Sequence, residues 1–429
     1  MLDIRKIRED PNAVIERMSK RAEGGFAGVI NEIIRLDSER RALLPLIDGM
    51  KAERNANSKE IPRLKREGID AEPVLIRMRE LAVSIDTHSK DLEKTEESLE
   101  SLMQSLPNLP DYDLPAGGKE NNVELRVFGN IPTFDFPIKD HVELCESLGL
   151  IDYKRGVKLG GNGSWLYRSD GARLEWALLN FFIGEHLADG YELLLPPHLL
   201  GWECGYTAGQ FPKFADDVYH IANPSGDEKK FLLPTAETAL VNVHRGEILN
   251  ESELPKKYIS FTPCYRREAG SYRSEERGMI RGHQFNKVEM VQYTTPNGSD
   301  AAFDELVEKA ERVVRKLGLY HRVCKLAAGD VSASMARTYD IEVFIPSIGI
   351  FKEVSSASNA RDFQARRGLI RYRDSEGRLH FAHTLNASGL ATSRVFPALV
   401  EQYQNADGSV RIPDVLVPFM GGQTVIEYK

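Results

Sequence analysis

TPCYRREAGSYRSEERGMIRGHQFNKVEM (residues 262–290) sets charged side chains into a strand-like, apolar context. Arg266, Arg267 and Glu268 close one extended run, a polar loop follows, and Arg281, Phe285, Lys287 and Glu289 lie on the return. The pattern predicts an antiparallel hairpin. Arginines on such a hairpin can hold phosphate oxygens in bidentate fashion, and an aromatic face can stack on a base. Singly, an Arg–Glu pair on a strand is more often a cross-strand ion pair than a ligand clamp, and Phe285 alone would be core.

Two neighbouring stretches carry the same mixture. In FLLPTAETAL (231–240), Thr235 and Glu237 sit in an apolar run and could bind a hydroxyl and an ammonium. FKEVSSASNARDFQARR (351–367) is followed by HTLNASGLATSRVF (383–396). There a glutamate and nearby serine hydroxyls are hard oxygen ligands suited to Mg²⁺ on a nucleotide. Arg394, read as entering a helix after a Gly-Leu-Ala turn, is placed to meet a phosphate. Ser355 and Ser356 could equally be turn residues, and Arg394 a surface charge.

Around these stretches, YISFTPCYRRE, IRGHQFNKVEMVQY and RGLIRYRD read as strands. GARLEWALLNFFIGEHLADGY (171–191) reads as an amphipathic helix and DAAFDELVEKAERVVRKLGL (300–319) as another. Long separated strands with interspersed helices predict an α+β domain built on an antiparallel β-sheet flanked by helices. No GxxxxGK[ST] loop, GxGxxG turn opening a helix, or HExxH is present.

The N-terminal quarter is different. Val29, Ile33, Leu36, Leu43, Ile47 and Met50 follow alternating steps of four and three, with Arg40 filling the gap. Met78, Ile85, Leu92, Leu99 and Leu106 recur every seven residues, with Leu81 and Leu102 between them. Seven-residue spacing keeps one narrow stripe facing a partner helix, the coiled-coil condition. IPRLKREGIDAEP (61–73) holds two prolines and a glycine, so the chain is expected to turn back there as an antiparallel hairpin. Limbs of about 30 residues would be roughly 45 Å long. Pro45 and Gly49 are expected to weaken or bend the first limb. From Glu32 to Arg66 there are nine basic and six acidic residues, net +3; from Glu72 to Glu100 there are four and eight, net −4. Charge is thus segregated onto the first limb, where a polyanion could lie, although a solvated face or a dimerisation device would look alike. The domain expectation is 1–106 for the arm, with its hairpin at about 27–106, 107–125 for a Pro-, Gly- and Asn-rich linker, and 126–429 for the catalytic domain.

Composition excludes little else. The 429 residues carry a net charge of −8, with 41% hydrophobic and 28% charged residues, a globular balance that does not rule out a local basic face. Cys145, Cys204, Cys264 and Cys324 lie about sixty residues apart, forming neither a disulfide framework nor a local zinc site. MLDIRKIRED is too charged for a signal peptide, and no apolar run approaches the roughly 20 residues of a membrane span. The expectation is a soluble cytoplasmic protein. Physics and spacing alone reach an ATP-handling α+β enzyme with a helical arm.

Over essentially its whole length the chain resembles seryl-tRNA synthetase, a class II aminoacyl-tRNA synthetase. The likeness rests on KAERNANSKEI (51–61), LPNLPDYDLPAGG, DHVELCESLGLID, GQFPKF (209–214), PTAET, the segments above with HQFNKVE and ASNARDFQARR in order, and IPDVLVPFMGG (412–422). The resemblance implies an N-terminal antiparallel coiled-coil arm that binds tRNA, joined to the class II antiparallel sheet. It implies activation of L-serine with ATP and transfer of the seryl group to tRNA(Ser), with tRNA(Sec) as a further acceptor it allows. It also implies a homodimer, with the helix at 173–187 building the interface and one subunit's arm reaching tRNA at the other's active site.

Site residues follow by the same likeness. Thr235, Ala236 and Glu237 match a serine-binding turn, Glu237 facing the α-ammonium. Arg266 matches the arginine bridging the serine carboxylate and the α-phosphate, beside Arg267, and Glu268 lies by the adenine. Arg281 looks like a phosphate-side contact, while Phe285 and Arg394 sandwich the adenine. Glu289 and Ser388 match the hydroxyl pocket. Glu353, Val354, Ser355 and Ser356 match an ATP-binding turn, with Glu353 and Ser356 as Mg²⁺ ligands. The catalytic set is Arg266, Glu289 and Arg394. Tyr272-Arg273-Ser274-Glu275-Glu276 falls where the family meets the tRNA acceptor end, and Trp176 stands where its first-motif helix commonly has arginine. Three other readings fit the same letters: an inhibitor-resistant second copy, a biosynthetic second copy, and a non-catalytic tRNA-binding homologue.

Overall fold

A computed structural model describes residues 1–21, 26–224, 226, 228–268 and 278–428, so the Tyr272–Glu276 stretch lies outside the described residues. The chain divides into two compact units, one of Leu2–Ser19 and Glu23–Leu106, the other of Met1, Lys20–Ala22 and Pro107–Lys429.

The first unit is helical: α1 (Ile4–Glu9), α2 (Pro11–Ser19), α3 (Phe26–Arg66) and α4 (Glu72–Ser105). Helices α3 and α4 have 41 and 34 residues, longer than the apolar stripe alone indicated. Of that stripe Ile33, Leu36 and Ile47 are buried on α3 and Leu81, Ile85 and Leu99 on α4, joined by Ile30, Leu64 and Met103 from outside it, while Val29, Leu43, Met50, Met78, Leu92 and Leu102 are only half-buried. Exposed ion pairs such as Arg77–Glu53 (2.7 Å) bridge the limbs and add little energy. The turn is closed by Gly68 in the left-handed region (φ +69°), with Ile69 N–H donating to the Leu64 carbonyl at 3.0 Å. Helix α3 runs through Pro45 and Gly49 without a break. Pro45 is exposed, so the Arg41 carbonyl it leaves without a helical donor can turn to water.

The second unit is built, among the described residues, on an eight-stranded sheet. In chain order its strands are β1 (Val123–Phe128), β2 (Glu192–Leu193), β3 (Lys256–Tyr265), β4 (Gln284–Thr294), β5 (His321–Lys325), β6 (Arg337–Ile345), β7 (Ile350–Arg361) and β8 (His383–Ala391). Their spatial order is β1-β5-β6-β7-β8-β4-β3-β2. Every neighbouring pair is antiparallel except β2 with β3, a parallel edge that the sequence did not announce. Strands β3 and β4 form the hairpin expected from 262–290, with Cys264 opposite Phe285 and Ser260 opposite Glu289.

Alternation sorts the strand residues. Val288 and Met290 of β4, and Leu385 and Ala387 of β8, belong to a large apolar core. That core also receives α5 (Ser169–Ala188), α7 (Ser299–Lys316) and α9 (Thr392–Gln402). Two shorter helices, α6 (Glu237–Leu240) and α8 (Phe363–Gly368), complete the set used below. The intervening residues, Lys287, Glu289, Asn386 and Ser388, therefore point to the opposite face.

Three local expectations change. Helix α5 is not strictly amphipathic: Leu174, Leu178 and Phe182 are buried, but Trp176 is 55% and Leu187 45% exposed, so apolar groups stand on both faces. RGLIRYRD is a strand only at Arg371–Arg373, because Arg367 and Gly368 finish α8. Gly-Leu-Ala before Arg394 is the end of β8, bulged between Ser388 and Leu390, and α9 starts directly after it.

Candidate active site

The polar face of β7, β8 and β4 forms the floor of a cleft of about 580 Å³. Its walls include Thr235, Glu237, Arg266, Glu268, Arg281, Glu289, Glu353, Ser356 and Ser388 of the residues singled out in the sequence. An adjoining recess of about 70 Å³ shares Arg266, Glu268, Arg281, Glu353 and Ser388, and adds Phe285, Val354 and Arg394. Ala236, Arg267 and Ser355 are not brought to either wall. Ala236 is fully buried ahead of α6, Arg267 Nη1 donates to the Asp216 carbonyl at 2.7 Å, and Ser355 Oγ donates to the Ser388 carbonyl at 2.7 Å.

Strand period explains most of the convergence. Phe285, Lys287 and Glu289 alternate along β4, and Ser388 lies directly opposite Glu289 on β8. Glu353 and Ser356 need more, since three-residue spacing on a regular strand would send them to opposite faces. The ladder between β6 and β7 slips there: Ile341 faces Ser355 while Glu342 faces Glu353, leaving Val354 as an extra residue. This bulge turns both Glu353 and Ser356 into the cleft. The 353–356 segment is thus bulged strand, not the turn expected.

At the inner end, Lys287 Nζ pairs with Glu289 and donates to Thr235 Oγ1 at 2.7 Å. Thr235 Oγ1 in turn donates to Glu289 Oε2 at 3.4 Å. Glu237 is held by neutral amides: Gln364 Nε2 donates to Oε1 at 2.8 Å and Asn386 Nδ2 to Oε2 at 3.3 Å. Burial, and then the nearby Glu289 charge, push the Glu237 carboxyl up to about 7. Asn386 Oδ1 is buried and, among the described residues, has no hydrogen-bond donor.

Toward the recess, Arg266 lies over the Phe285 ring, 5.2 Å from its centroid, and its Nε donates to the Pro234 carbonyl at 3.3 Å. Arg281 Nε donates to Glu268 Oε2 at 2.6 Å. Arg394 Nη1 reaches both the Glu353 carbonyl (2.8 Å) and its Oε2 (3.3 Å). Burial works against the Glu353 charge, but Arg394 and Arg266 outweigh it and hold the carboxyl below its ordinary value. Asp340, opposite Ser356 in the ladder, goes the other way: burial and then the Glu353 charge push its carboxyl well above the usual carboxylate range. Ser356 Oγ donates to Asp340 Oδ1 at 2.5 Å, which leaves its lone pairs for a cation. One carboxylate and one hydroxyl oxygen fit a Mg²⁺ that takes its other ligands from phosphate and water. Among the described residues no group of three His, Cys, Asp or Glu side chains could hold a metal unaided.

Sequence reading missed Lys287 as a contact of Glu289, together with Asn386, Gln364 and Asp340. The arrangement offers a pair of carboxylates with an unfilled acceptor at one end, and guanidinium groups beside an aromatic ring at the other.

Comparison with known proteins bears on this geometry. The family model for the seryl-tRNA synthetase N-terminal domain matches residues 1–110, and that for the tRNA synthetase class II core domain (G, H, P, S and T) matches 219–403. The serine–tRNA ligase 2 of Clostridium acetobutylicum is 54% identical over 424 residues, 98% of this chain and 99% of its own. The serine–tRNA ligase of Petrotoga mobilis is 45% identical over 429 residues, 99% of this chain and 100% of its own. Among solved structures, the seryl-tRNA synthetase of Pyrococcus horikoshii complexed with ATP superposes with a TM-score of 0.94 at 32% identity, covering 100% of both chains.

Proposed function

The chain belongs to the seryl-tRNA synthetase family, and from that premise we propose how its cleft carries out serine–tRNA ligation. The enzyme activates L-serine with ATP and transfers the seryl group to tRNA(Ser). In our reading serine occupies the inner end and ATP the end toward the recess. The observation that carries it is the asymmetry of the inner carboxylates: Lys287 balances Glu289, whereas Glu237 has only amide donors. An α-ammonium beside Glu237 supplies the missing cation, and Asn386 Oδ1 is a ready acceptor for one of its N–H groups. Glu289 keeps lone pairs to accept the serine hydroxyl, with Ser388 across the ladder as the second contact.

Adenylation then needs no general base, because the serine carboxylate is already ionised at neutral pH. Its oxygen attacks the α-phosphorus, the α–β bridging bond breaks, and pyrophosphate leaves with the electron pair. Arg266, lining both cavities, is suited to hold the carboxylate and α-phosphate in line and to balance the charge that develops. Phe285 and Arg394 flank the adenine, with Arg281 and Glu268 nearby. Glu353 and Ser356 would hold Mg²⁺, whose charge neutralises phosphate oxygens when bound. In the second step the tRNA 3′-terminal hydroxyl attacks the seryl carbonyl and AMP departs.

The basic limb α3 supports a tRNA-binding arm. The domain limits 1–106, 107–125 and 126–429 remain our proposal, as do a cytoplasmic setting and a homodimer. For the dimer, the support is apolar side chains left exposed at Trp176, Leu187, Leu195 and Phe419. Sedimentation equilibrium tests it, and a monomer mass at micromolar concentration rejects it. The name of the Clostridium relative favours one second reading, a specialised second copy. Charging of purified tRNA(Ser) with labelled serine tests the main reading. Stable seryl-tRNA dependent on ATP is expected, and its absence with folded protein would count against it.

A further inference from the structure

Arg21 is only 6% exposed, and its guanidinium is spent on backbone carbonyls. Nε and Nη2 donate to the Asn108 carbonyl at 3.2 and 3.0 Å. Nη1 reaches the carbonyls of Val331 (2.8 Å) and Ala328 (3.3 Å), and Nη2 that of Met335 (2.8 Å). Asn108, 3% exposed, continues the frame: Nδ2 donates to the carbonyls of Ser334 (3.0 Å) and Ala360 (2.8 Å). Its own N–H donates to the Ala333 carbonyl at 2.6 Å. Three of the four carbonyls that Arg21 holds lie in one irregular segment, Ala328 to Met335, which has no ladder of its own to fix it.

Burying a cation is costly, and a frame this dense makes sense where the framed segment must hold its shape. Ser332, Ser334 and Met335 of that segment line the larger cleft, which holds Glu237 and Glu289 together with Glu268, Arg281, Glu353 and Ser356, and they do not line the recess that contains Phe285 and Arg394. We propose that Arg21 is a positioning residue for the amino-acid side of the cleft, acting through the Ala328–Met335 wall. Asn108 is its partner in the frame. The inference rests on the reading that serine sits at the inner end.

The test is serine-dependent pyrophosphate exchange by the full-length protein, comparing Arg21→Ala, Arg21→Lys and Asn108→Ala. Misplacing a wall by about an ångström costs up to about a hundredfold, so Arg21→Ala should raise the serine KM by about ten- to a hundredfold. The ATP KM should stay within about twofold. Arg21→Lys should recover part of the loss, because an ammonium reaches fewer of the carbonyls than a guanidinium fork. Asn108→Ala should shift the serine KM in the same direction by less, and it decides the matter if Arg21→Ala does not fold. An unchanged serine KM, a parallel rise in both KM values, or a loss confined to kcat would overturn the proposal. Failure of the wild-type protein to exchange with serine would instead reject the functional reading beneath it.

Discussion

Glu237 and Glu289 share one amide: Asn386 Nδ2 lies 3.3 Å from Glu237 Oε2 and 3.1 Å from Glu289 Oε1. The two carboxylates are nevertheless unlike, because Lys287 pairs with Glu289 alone. A cationic group beside Glu237 would even the two, and the difference yields a pH dependence with a defined sign.

Glu237 rises from an ordinary 4.5 to about 7. An ammonium ligand needs it ionised, so the serine KM should fall as pH rises from 6 toward 8, by close to tenfold per unit below about 7. Glu237→Gln should flatten that profile and raise the KM at pH 8 by about a hundredfold. Stability runs the opposite way. With the folded value above the unfolded one, the unfolded chain holds fewer protons between about 4.5 and 7, so this group costs stability as pH rises through that window. Thermal unfolding of the ligand-free Glu237→Gln protein should therefore begin higher than wild type at pH 8, with little difference near pH 4.5.

Glu289 sets the choice between serine and alanine. A site that hydrogen-bonds a hydroxyl rejects the analogue lacking it by about 10⁴ to 10⁵. In Glu289→Ala the ratio of kcat/KM for serine over alanine should collapse toward about ten, measured by exchange with each amino acid. A ratio kept at the wild-type value would remove Glu289 from recognition.

Arg266→Ala should abolish serine-dependent exchange while leaving a wild-type circular dichroism spectrum. Its contacts to Pro234 and Phe285 are at the cleft wall and few core groups depend on it. Exchange within tenfold of wild type would show that its charge is not needed at the α-phosphate.

Removing residues 30–104 takes away the arm and leaves the sheet. Exchange should persist, charging of tRNA(Ser) should fall at least a hundredfold, and tRNA binding should lose most of its salt dependence. Full charging by the shortened protein would reduce the arm to a structural role.

The pattern of what was legible follows from periodicity. The helical hairpin and the β3–β4 hairpin were readable because one stripe, interrupted only at Arg40 on the first limb, or one alternation runs through each. Lys287 and Asn386 were reachable by the same rule, since each lies two residues from a recognised contact, Glu289 and Ser388, on one strand face. Ser355 was misplaced because the bulge at Val354 breaks the alternation, and a bulge has no signature in the letters around it. Asp340 and Gln364 meet the site only through strand register and the placing of α8, which are tertiary facts.

Pyrophosphate exchange by the wild-type protein, run with each of the twenty amino acids at pH 7.5, bears most directly on the claim that this cleft joins serine to a nucleotide. Serine alone should support rapid exchange, with threonine and alanine weaker by orders of magnitude. Exchange driven best by another amino acid, or by none, would contradict the account.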